Sequence, residues 1–146
     1  MKQLLVLGAG TAGTMAVNKL RPHLSADEWA ITVVDATPDH HYQPGYLFIP
    51  FGTYEPDEVV KQKATLLTDG VDLLMGEVDV VKPDDSVVVL TDGRELGYDQ
   101  LIIATGTHPR RDQTEGLDGD QYGITIHDFY TLEGATRLAE VLDGWE

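Results

Sequence analysis

A glycine-rich segment between two apolar runs constrains the fold of this chain more than any other feature. Residues 3–7 (QLLVL) and 29–34 (WAITVV) predict short strands buried on both faces, as in a parallel sheet. Between them, residues 8–13 (GAGTAG) have the spacing Gly-x-Gly-x-x-Gly and lead into apolar residues at helical spacing, which end before Pro22. Residues 1–35 therefore predict a βαβ unit with a glycine loop at the start of its helix.

Each part of this loop suits contact with a dinucleotide. Gly8 permits a tight turn, Gly10 lets a pyrophosphate approach the backbone, and Gly13 lets the helix pack closely against the strand. Thr11 and Ala12 lie at the helix N-terminus, where free N–H groups and the helix dipole favour phosphate. The loop therefore predicts a binding site for an adenosine pyrophosphate.

Asp35 supplies the second part of the same motif. It lies 22 residues after Gly13, at the end of the second predicted strand. A carboxylate at this point accepts hydrogen bonds from an adenosine ribose and repels a 2′-phosphate, which disfavours NADP. We include Ala36, the next residue, in the same binding set. The motif by itself does not separate FAD from NAD.

The segment after this unit predicts a loop followed by a helix. Residues 36–54 are rich in Pro, Gly and aromatic residues, which is typical of a functional loop. Four aromatic residues there either pack on a cofactor or close the core, and we expect two in the core: Tyr42, Tyr46, Phe48 and Phe51. Residues 56–67 predict a helix, because a proline and two acidic residues suit its first turn.

The remainder of the chain predicts short strands and one more helix. Turn residues separate four strand candidates that together predict an antiparallel β-meander over residues 71–98. Residues 100–104 predict another buried strand, and residues 107–127 predict a loop. Apolar residues at helical spacing predict a last helix over residues 131–142.

Composition and missing motifs exclude several classes of function. The 146 residues carry a net charge of −15, which argues against a nucleic-acid partner. Cysteine is absent, so no disulfide or thiol chemistry lies within these residues. No apolar run approaches a membrane span, and we expect a cytoplasmic protein. The short-chain dehydrogenase motif Tyr-x-x-x-Lys, the P-loop and the hydrolase motif Gly-x-Ser-x-Gly are all missing.

Residues 98–110 (YDQLIIATGTHPR) resemble the second signature of flavoproteins with two dinucleotide-binding domains. The resemblance implies FAD as the cofactor, with Ala104, Thr105 and Gly106 lying against it, and it assigns Val78 to the same binding set. The implied fold is α/β: a Rossmann-like FAD-binding βαβ unit with an inserted antiparallel β-meander, as the incomplete form of a two-domain flavoprotein.

Within that superfamily, two segments are most similar to sulfide:quinone oxidoreductases and flavocytochrome c sulfide dehydrogenases. These are residues 41–52 (HYQPGYLFIPFG) and 128–135 (DFYTLEGA). The resemblance implies that Pro44 and Gly45 lie beside the isoalloxazine ring. It also implies an FAD-dependent oxidoreductase that passes electrons from a small donor through flavin to quinone or cytochrome. The chain departs from that family at residues 124–127 (ITIH), near the place of a family cysteine.

Two alternative functions remain open: a type II NADH:quinone reductase, and a non-catalytic dinucleotide-binding module. Members of the resembled family are much longer. We therefore expect residues 1–146 to be the N-terminal part of an FAD-binding domain that is inactive alone, with the helix at 131–142 leading to a second domain outside it. The acceptor would be reached through that outside part. Peripheral membrane association at the inner face and homo-oligomerisation stay open.

We assign no catalytic residue and no metal ligand within residues 1–146. Adjacent side chains of Asp39, His40 and His41 in an extended loop point apart, which argues against a metal site. His127 is expected to be a loop histidine rather than a proton carrier.

Overall fold

The computed structural model describes residues 1–145 of the chain. Its strands are β1 (Lys2–Leu7), β2 (Trp29–Asp35), β3 (Asp39–His41), β4 (Val60–Gln62), β5 (Asp72–Met75), β6 (Val78–Lys82), β7 (Val87–Leu90), β8 (Glu95–Gly97) and β9 (Gln100–Ile103). Its α-helices are α1 (Thr11–Leu20) and α2 (Leu132–Asp143), and its 3-10 segments are Arg21–His23, Gln43–Phe51, Lys63–Leu66, Pro83–Asp85 and Arg111–Gln113. No helix within these residues is long and apolar enough to cross a bilayer.

The chain divides into two compact units, and each is built from two separate stretches of sequence. The first unit contains Met1–His40 and Gln62–Gly106, and the second contains His41–Lys61 and residues 107–145. The first unit holds the predicted βαβ motif, a parallel sheet and a meander. The second holds α2 and the long 3-10 segment.

A four-stranded parallel sheet forms the centre of the first unit, in the order β5-β2-β1-β9. Side chains of β1 alternate between two apolar clusters because successive residues of a strand point to opposite faces. Leu4 and Val6 pack with Val17 of α1 on one face, and Leu5 and Leu7 belong to the cluster on the other. Both faces of β1 are buried, which explains its uninterrupted apolar run and confirms the predicted parallel strand.

The antiparallel meander is shorter than predicted. Its strands β6, β7 and β8 pair in that order, whereas β5 pairs in parallel with β2. The expectation that residues 71–98 all belong to the meander is therefore wrong for its first strand. Leu73 of β5 packs against the same cluster as α1, and Val88 of β7 is buried in the cluster on the opposite face of the parallel sheet. Burial decides which sheet a short apolar strand joins, and spacing in the sequence does not show it.

The helix predicted over residues 56–67 is also wrong. A turn at Glu55–Glu58, strand β4 and a short 3-10 segment occupy this stretch. Glu58, one of the two acidic residues that suited a helix N-terminus, instead closes the turn, since its carboxylate accepts a hydrogen bond from the Glu55 N–H at 2.8 Å. Val59 is buried, and its carbonyl accepts a hydrogen bond from the Tyr42 N–H at 2.8 Å. These long-range contacts override the local helix preference.

The second unit packs α2 against the 3-10 segment Gln43–Phe51, within the stretch predicted as an irregular loop. Tyr46, Ile49 and Ala135 form its buried centre. We expected two of the four aromatic residues of this stretch in the core, but Tyr46 alone among them is buried. Helix α2 begins as predicted, because the Thr131 hydroxyl oxygen accepts a hydrogen bond from the Gly134 N–H at 2.9 Å.

Candidate dinucleotide-binding site

The glycine loop joins β1 to α1 and rests against the end of β9. Gly8 has a φ of +97°, and a Cβ atom on it would lie 2.4 Å from the Ala104 carbonyl oxygen. A Cβ atom on Gly13 would lie 1.8 Å from the Gly8 carbonyl oxygen. Because a side chain at either position would collide with backbone, both residues must be glycine for the loop to pack this way.

Gly10 differs from these two glycines because it faces open space. No atom lies within 4 Å of the position that a Cβ atom on Gly10 would take. The first backbone hydrogen bond of α1 runs from the Thr14 N–H to the Gly10 carbonyl at 3.0 Å, so the N–H groups of Thr11, Ala12 and Gly13 precede the helical ladder. Donors without helical partners and the positive end of the helix dipole suit a phosphate group here.

Asp35 ends β2 beside the same loop. Its Oδ2 accepts a hydrogen bond from the Ala9 N–H at 2.7 Å, and its Oδ1 accepts one from the Thr37 N–H at 3.0 Å. Oδ1 also lies 2.6 Å from Nζ of Lys63, which forms an ion pair with it. The carboxylate is therefore held from two sides and connects the glycine loop to the stretch after β4.

The contacts of Asp35 keep its carboxyl group ionised. Burial acts to raise its pKa, but the hydrogen bond from Lys63 and those from the Thr37 and Ala9 amides act in the opposite direction. Together they hold the pKa of Asp35 below its usual value. An ionised carboxylate only accepts hydrogen bonds, which is the role that a ribose hydroxyl donor requires.

These features fit the adenosine diphosphate part of a dinucleotide. The space beside Gly10 would be filled by any larger residue, the N-terminal amides of α1 are donors, and Asp35 is an ionised acceptor. The residues present therefore match the group that the sequence motif predicts.

Two polar residues that support this loop were not found by sequence reasoning. Lys63 is 5% exposed and contacts Asp35, and the hydroxyl of buried Thr14 donates to the Ala9 carbonyl at 3.0 Å. Lys63 lies 28 residues after Asp35. Because the motif formed by the glycine loop and its acidic residue has no position for a lysine, only the fold reveals this pair.

The first unit also contains the other residues that were predicted to bind the cofactor, apart from Pro44 and Gly45. Ala104 and Thr105 follow β9 and border the glycine loop, since both lie within contact distance of a Cβ atom placed on Gly8. Gly106 has a φ of +75°, and Ala36 is exposed just after β2. Val78 begins β6 and packs in the apolar cluster of the meander.

Pro44 and Gly45 belong to the second unit. Pro44 is exposed, whereas Gly45 is buried, and a Cβ atom on it would lie 2.5 Å from Cγ1 of Val59. The small size of Gly45 is therefore explained by packing within its own unit. A role of either residue in contact with flavin stays a prediction.

A cavity of about 670 Å³ lies within the second unit. Its lining includes two arginines, two histidines and an aspartate: Arg111, Arg137, His108, His127 and Asp128. Ile126 also lines it. His127 and Ile126 belong to residues 124–127, the segment where the resemblance places a cysteine. The residues that replace this cysteine therefore line the cavity.

No cluster of three or more His, Asp or Glu side chains suited to a metal ion occurs in the part of the chain that the structure describes. His40 instead has its Nδ1 3.4 Å from the Ala9 carbonyl oxygen, and Asp39 accepts a hydrogen bond from the Gln62 side chain. Both residues therefore contact neighbouring polar groups of the first unit.

The curated relatives of this chain include sulfide:quinone oxidoreductases and type II NADH:quinone oxidoreductases. The mitochondrial sulfide:quinone oxidoreductase of Dictyostelium discoideum is 26% identical over 142 residues, which cover 96% of this chain and 31% of the relative. The type II NADH:quinone oxidoreductase of Staphylococcus epidermidis is 32% identical over 142 residues, which cover 95% of this chain and 34% of the relative. The chain thus spans about one third of the length of these relatives.

Solved structures share the fold. The sulfide:quinone oxidoreductase from the hyperthermophilic bacterium Aquifex aeolicus matches with a TM-score of 0.79 at 20% identity, over 98% of this chain and 32% of that one. The NDH2 of Plasmodium falciparum in complex with NADH matches with a TM-score of 0.70 at 17% identity, over 94% of this chain and 28% of that one. The predicted Rossmann-like α/β fold is confirmed.

The sequence profile of one family matches almost the whole chain. The family is described as pyridine nucleotide-disulphide oxidoreductase, and the match covers residues 2–141. This agrees with the resemblance found at residues 98–110 and with FAD as the cofactor of the class. The chain therefore belongs to the pyridine nucleotide-disulphide oxidoreductases, a family of FAD-dependent enzymes.

Proposed function

We propose that this chain binds FAD as part of an oxidoreductase that passes electrons to a quinone. The observation that carries the proposal is the glycine loop, whose open side at Gly10 adjoins free helix amides and whose Ala9 N–H is bonded to Asp35. The quinone acceptor is supported by the names of the Dictyostelium discoideum and Staphylococcus epidermidis relatives, which each include it.

The glycine loop and Asp35 are proposed to hold the adenosine half of FAD. Thr11, Ala12 and Gly13 donate backbone N–H groups to the pyrophosphate beside Gly8 and Gly10, and Asp35 accepts from the ribose with Ala36 beside it. The remaining residues of the proposed set rest on the resemblance: Pro44, Gly45, Val78, Ala104, Thr105 and Gly106. Bound FAD supplies two-electron redox chemistry, and the chain's residues bind and orient it.

Sulfide or another small donor is the proposed source of electrons. This part of the proposal rests on residues 41–52 and 128–135, which are similar to the sulfide-oxidising members of the superfamily. The Dictyostelium discoideum sulfide:quinone oxidoreductase supports it, at 26% identity over 96% of this chain.

NADH is the second candidate donor, and one observation favours it. Ile126 and His127 line the cavity of the second unit in the segment where the resemblance places a cysteine, and the chain has no cysteine at all. Sulfide oxidation in that family uses thiols, so none of it could be carried out by residues 1–146. A type II NADH:quinone oxidoreductase is among the relatives, at 32% identity.

Calorimetric titration of the purified chain with FAD, NADH and NADPH tests the proposed cofactor. We expect one FAD to bind per chain, and NADPH to bind worst because Asp35 repels its 2′-phosphate. The variant Asp35→Ala should weaken FAD binding, while Asp92→Ala, on an exposed turn, should not. Binding of NADH without binding of FAD would replace the proposal with a non-catalytic nucleotide-binding module.

The electron donor is tested on the protein as its gene encodes it, purified through an affinity tag at its N-terminus. Sulfide or NADH is added without oxygen, and the flavin absorbance is followed before and after addition of a soluble quinone or of cytochrome c. Bleaching by sulfide and recovery with quinone supports the preferred donor. Bleaching by NADH alone transfers the proposal to the type II NADH:quinone class, and recovery only with cytochrome c overturns the quinone acceptor.

A further inference from the structure

Lys63 is the one charged residue among the buried residues of the described chain, with 5% of its surface exposed. Its Nζ donates to three acceptors: Oδ1 of Asp35 at 2.6 Å, the Thr37 carbonyl at 2.7 Å and the Thr37 hydroxyl at 2.9 Å. A lysine ammonium group has three hydrogens, and all three are used here. Lys63 therefore has no donor left for a bound ligand and acts on one only through its neighbours.

The two oxygens of Asp35 have different surroundings. Oδ1 accepts from Lys63 and from the Thr37 N–H, which occupies its acceptor positions. Oδ2 accepts from the Ala9 N–H of the glycine loop and retains one acceptor position. Oδ2, which can still accept a hydrogen bond, is therefore the oxygen that contacts the glycine loop.

We infer that Lys63 is a positioning residue for cofactor binding: by holding Oδ1 of Asp35, it keeps Oδ2 bonded to the glycine loop and available to a ribose hydroxyl. This inference rests on the proposed function, since it requires that Asp35 bind the adenosine ribose. It adds a residue that touches no ligand but determines how the ligand-binding carboxylate is oriented.

The cost of the arrangement supports a role in binding. Removing an ammonium and a carboxylate from water is expensive, and apolar residues of similar size often stabilise a fold as well as a buried ion pair does. Here the pair lies at the end of β2 and bonds to the glycine loop through Ala9. Without Lys63, the pKa of Asp35 would be higher, and only the Ala9 and Thr37 N–H groups would hold its side chain.

The test compares two nucleotides that differ only at the ribose, in the wild-type chain and in Lys63→Met. Dissociation constants for ADP and 2′,3′-dideoxy-ADP are measured by titration calorimetry, alongside FAD. We expect Lys63→Met to lower the affinity for ADP about tenfold, which corresponds to one hydrogen bond to a charged group. The affinity for 2′,3′-dideoxy-ADP should not change. The preference for ADP over its dideoxy analogue should therefore disappear in the variant.

If the role of Lys63 were purely structural, the affinities for both nucleotides would fall equally, and that result overturns the inference. Unchanged affinities for both nucleotides would also overturn it. Lys61→Met, an exposed position two residues earlier on β4, is the matched control and should keep the preference. Lys63→Gln, which removes the charge but keeps an N–H donor, supplies the same comparison if Lys63→Met does not fold. Failure of the wild-type chain to bind FAD would overturn the proposed function instead, so the two failures are distinguishable.

The pH dependence gives a second readout. In the wild-type chain the lowered pKa of Asp35 keeps its carboxylate ionised as pH falls from neutral into the mildly acidic range, and the ADP phosphate titrates in both proteins alike. In Lys63→Met the pKa of Asp35 should be higher, so ADP affinity should fall at a higher pH than in the wild type. Identical pH profiles in the two proteins would contradict the inference.

Discussion

At the scale of single residues, Gly8 and Gly10 share one motif but meet different physical requirements. Gly8 has a positive φ and touches the backbone of Ala104, so the fold itself requires glycine there. Gly10 has an ordinary φ of −72° and open space around it, so nothing in the fold requires glycine at this position. The proposed contact with a pyrophosphate would require a residue of this small size.

Alanine variants should therefore separate stability from binding. We expect Gly8→Ala to lower the free energy of unfolding by about 3 kcal/mol, through backbone strain and collision with Ala104. Gly10→Ala should unfold like the wild type in urea but bind FAD at least about tenfold more weakly, because its methyl group occupies the phosphate space. Loss of stability in Gly10→Ala would show that the open space is not reserved for a ligand.

Asp35 makes a separate prediction about pH. Because its folded-state pKa is lowered, its contribution to stability is present above the unfolded-state pKa and is lost as pH falls through the folded-state pKa. Asp35→Asn should cost about 3 kcal/mol of unfolding free energy at neutral pH, since it leaves Lys63 buried without an opposite charge. The difference in unfolding free energy between the wild type and Asp35→Asn should become smaller at acidic pH.

The measurement is the free energy of urea unfolding at a series of pH values. Asp92→Asn is the control, because the Asp92–Arg94 pair lies on the surface, where water and salt screen it. A difference between wild type and Asp35→Asn that does not change with pH would mean that charge at Asp35 is not what stabilises the fold.

At the scale of elements, the sequence predicted those parts whose burial can be seen in a local pattern. Strands β1 and β2 are buried on both faces and appear as apolar runs, whereas β9, also predicted as a buried strand, is only half-buried, with Ile103 63% exposed. The stretch at residues 56–67 could not be predicted, because Lys63 takes its conformation from a partner 28 residues away. The same applies to the site: the loop and Asp35 follow from their spacing, whereas Lys63 follows only from tertiary contacts.

Arg21 shows how elements are joined at the end of α1 distant from the glycine loop. Its guanidinium donates to the carbonyls of Trp29 and Gly70, each at 3.2 Å, and also to that of Leu24. One side chain thus connects the end of α1 to the start of β2 and to the turn before β5. A lysine keeps the charge but lacks the planar group that reaches several acceptors at once.

We expect Arg21→Lys to lower the unfolding free energy by about 1–2 kcal/mol, because at least one of these carbonyls loses its donor. Arg110→Lys is the control, since Arg110 is exposed and pairs with its near neighbour Asp112. Urea unfolding of both variants measures the effect. Equal stability of the two variants would show that the charge of Arg21, and not its geometry, is what matters.

At the scale of the whole molecule, the excess of acidic residues dominates. The chain has 25 acidic and 10 basic residues, and the ion pairs other than Asp35–Lys63 lie on the surface, with side chains 43% exposed or more. Most negative charges therefore repel one another across the surface, which destabilises the compact state at low ionic strength.

Added salt should raise the thermal midpoint of unfolding. The rise should be steepest below about 0.5 M KCl, where the screening length shortens most, and then level off. Differential scanning calorimetry in KCl and in sodium sulfate checks the cause. If screening is responsible, the two salts agree at equal ionic strength over this range, whereas a falling midpoint would mean that the surface ion pairs outweigh the repulsion.

The position of β1 in the sheet has a consequence for how the chain is made. β1 pairs with β2 on one side, but its other neighbour is β9, and the Gln3 N–H reaches the Asp99 carboxylate across 96 residues of sequence. During synthesis one edge of β1 stays unpaired until β9 leaves the ribosome, and Gly8 has no Ala104 to rest on until then. The glycine loop therefore lacks its final support until long after its own synthesis. A nascent chain should gain the ability to capture its nucleotide only after residue 104 has emerged.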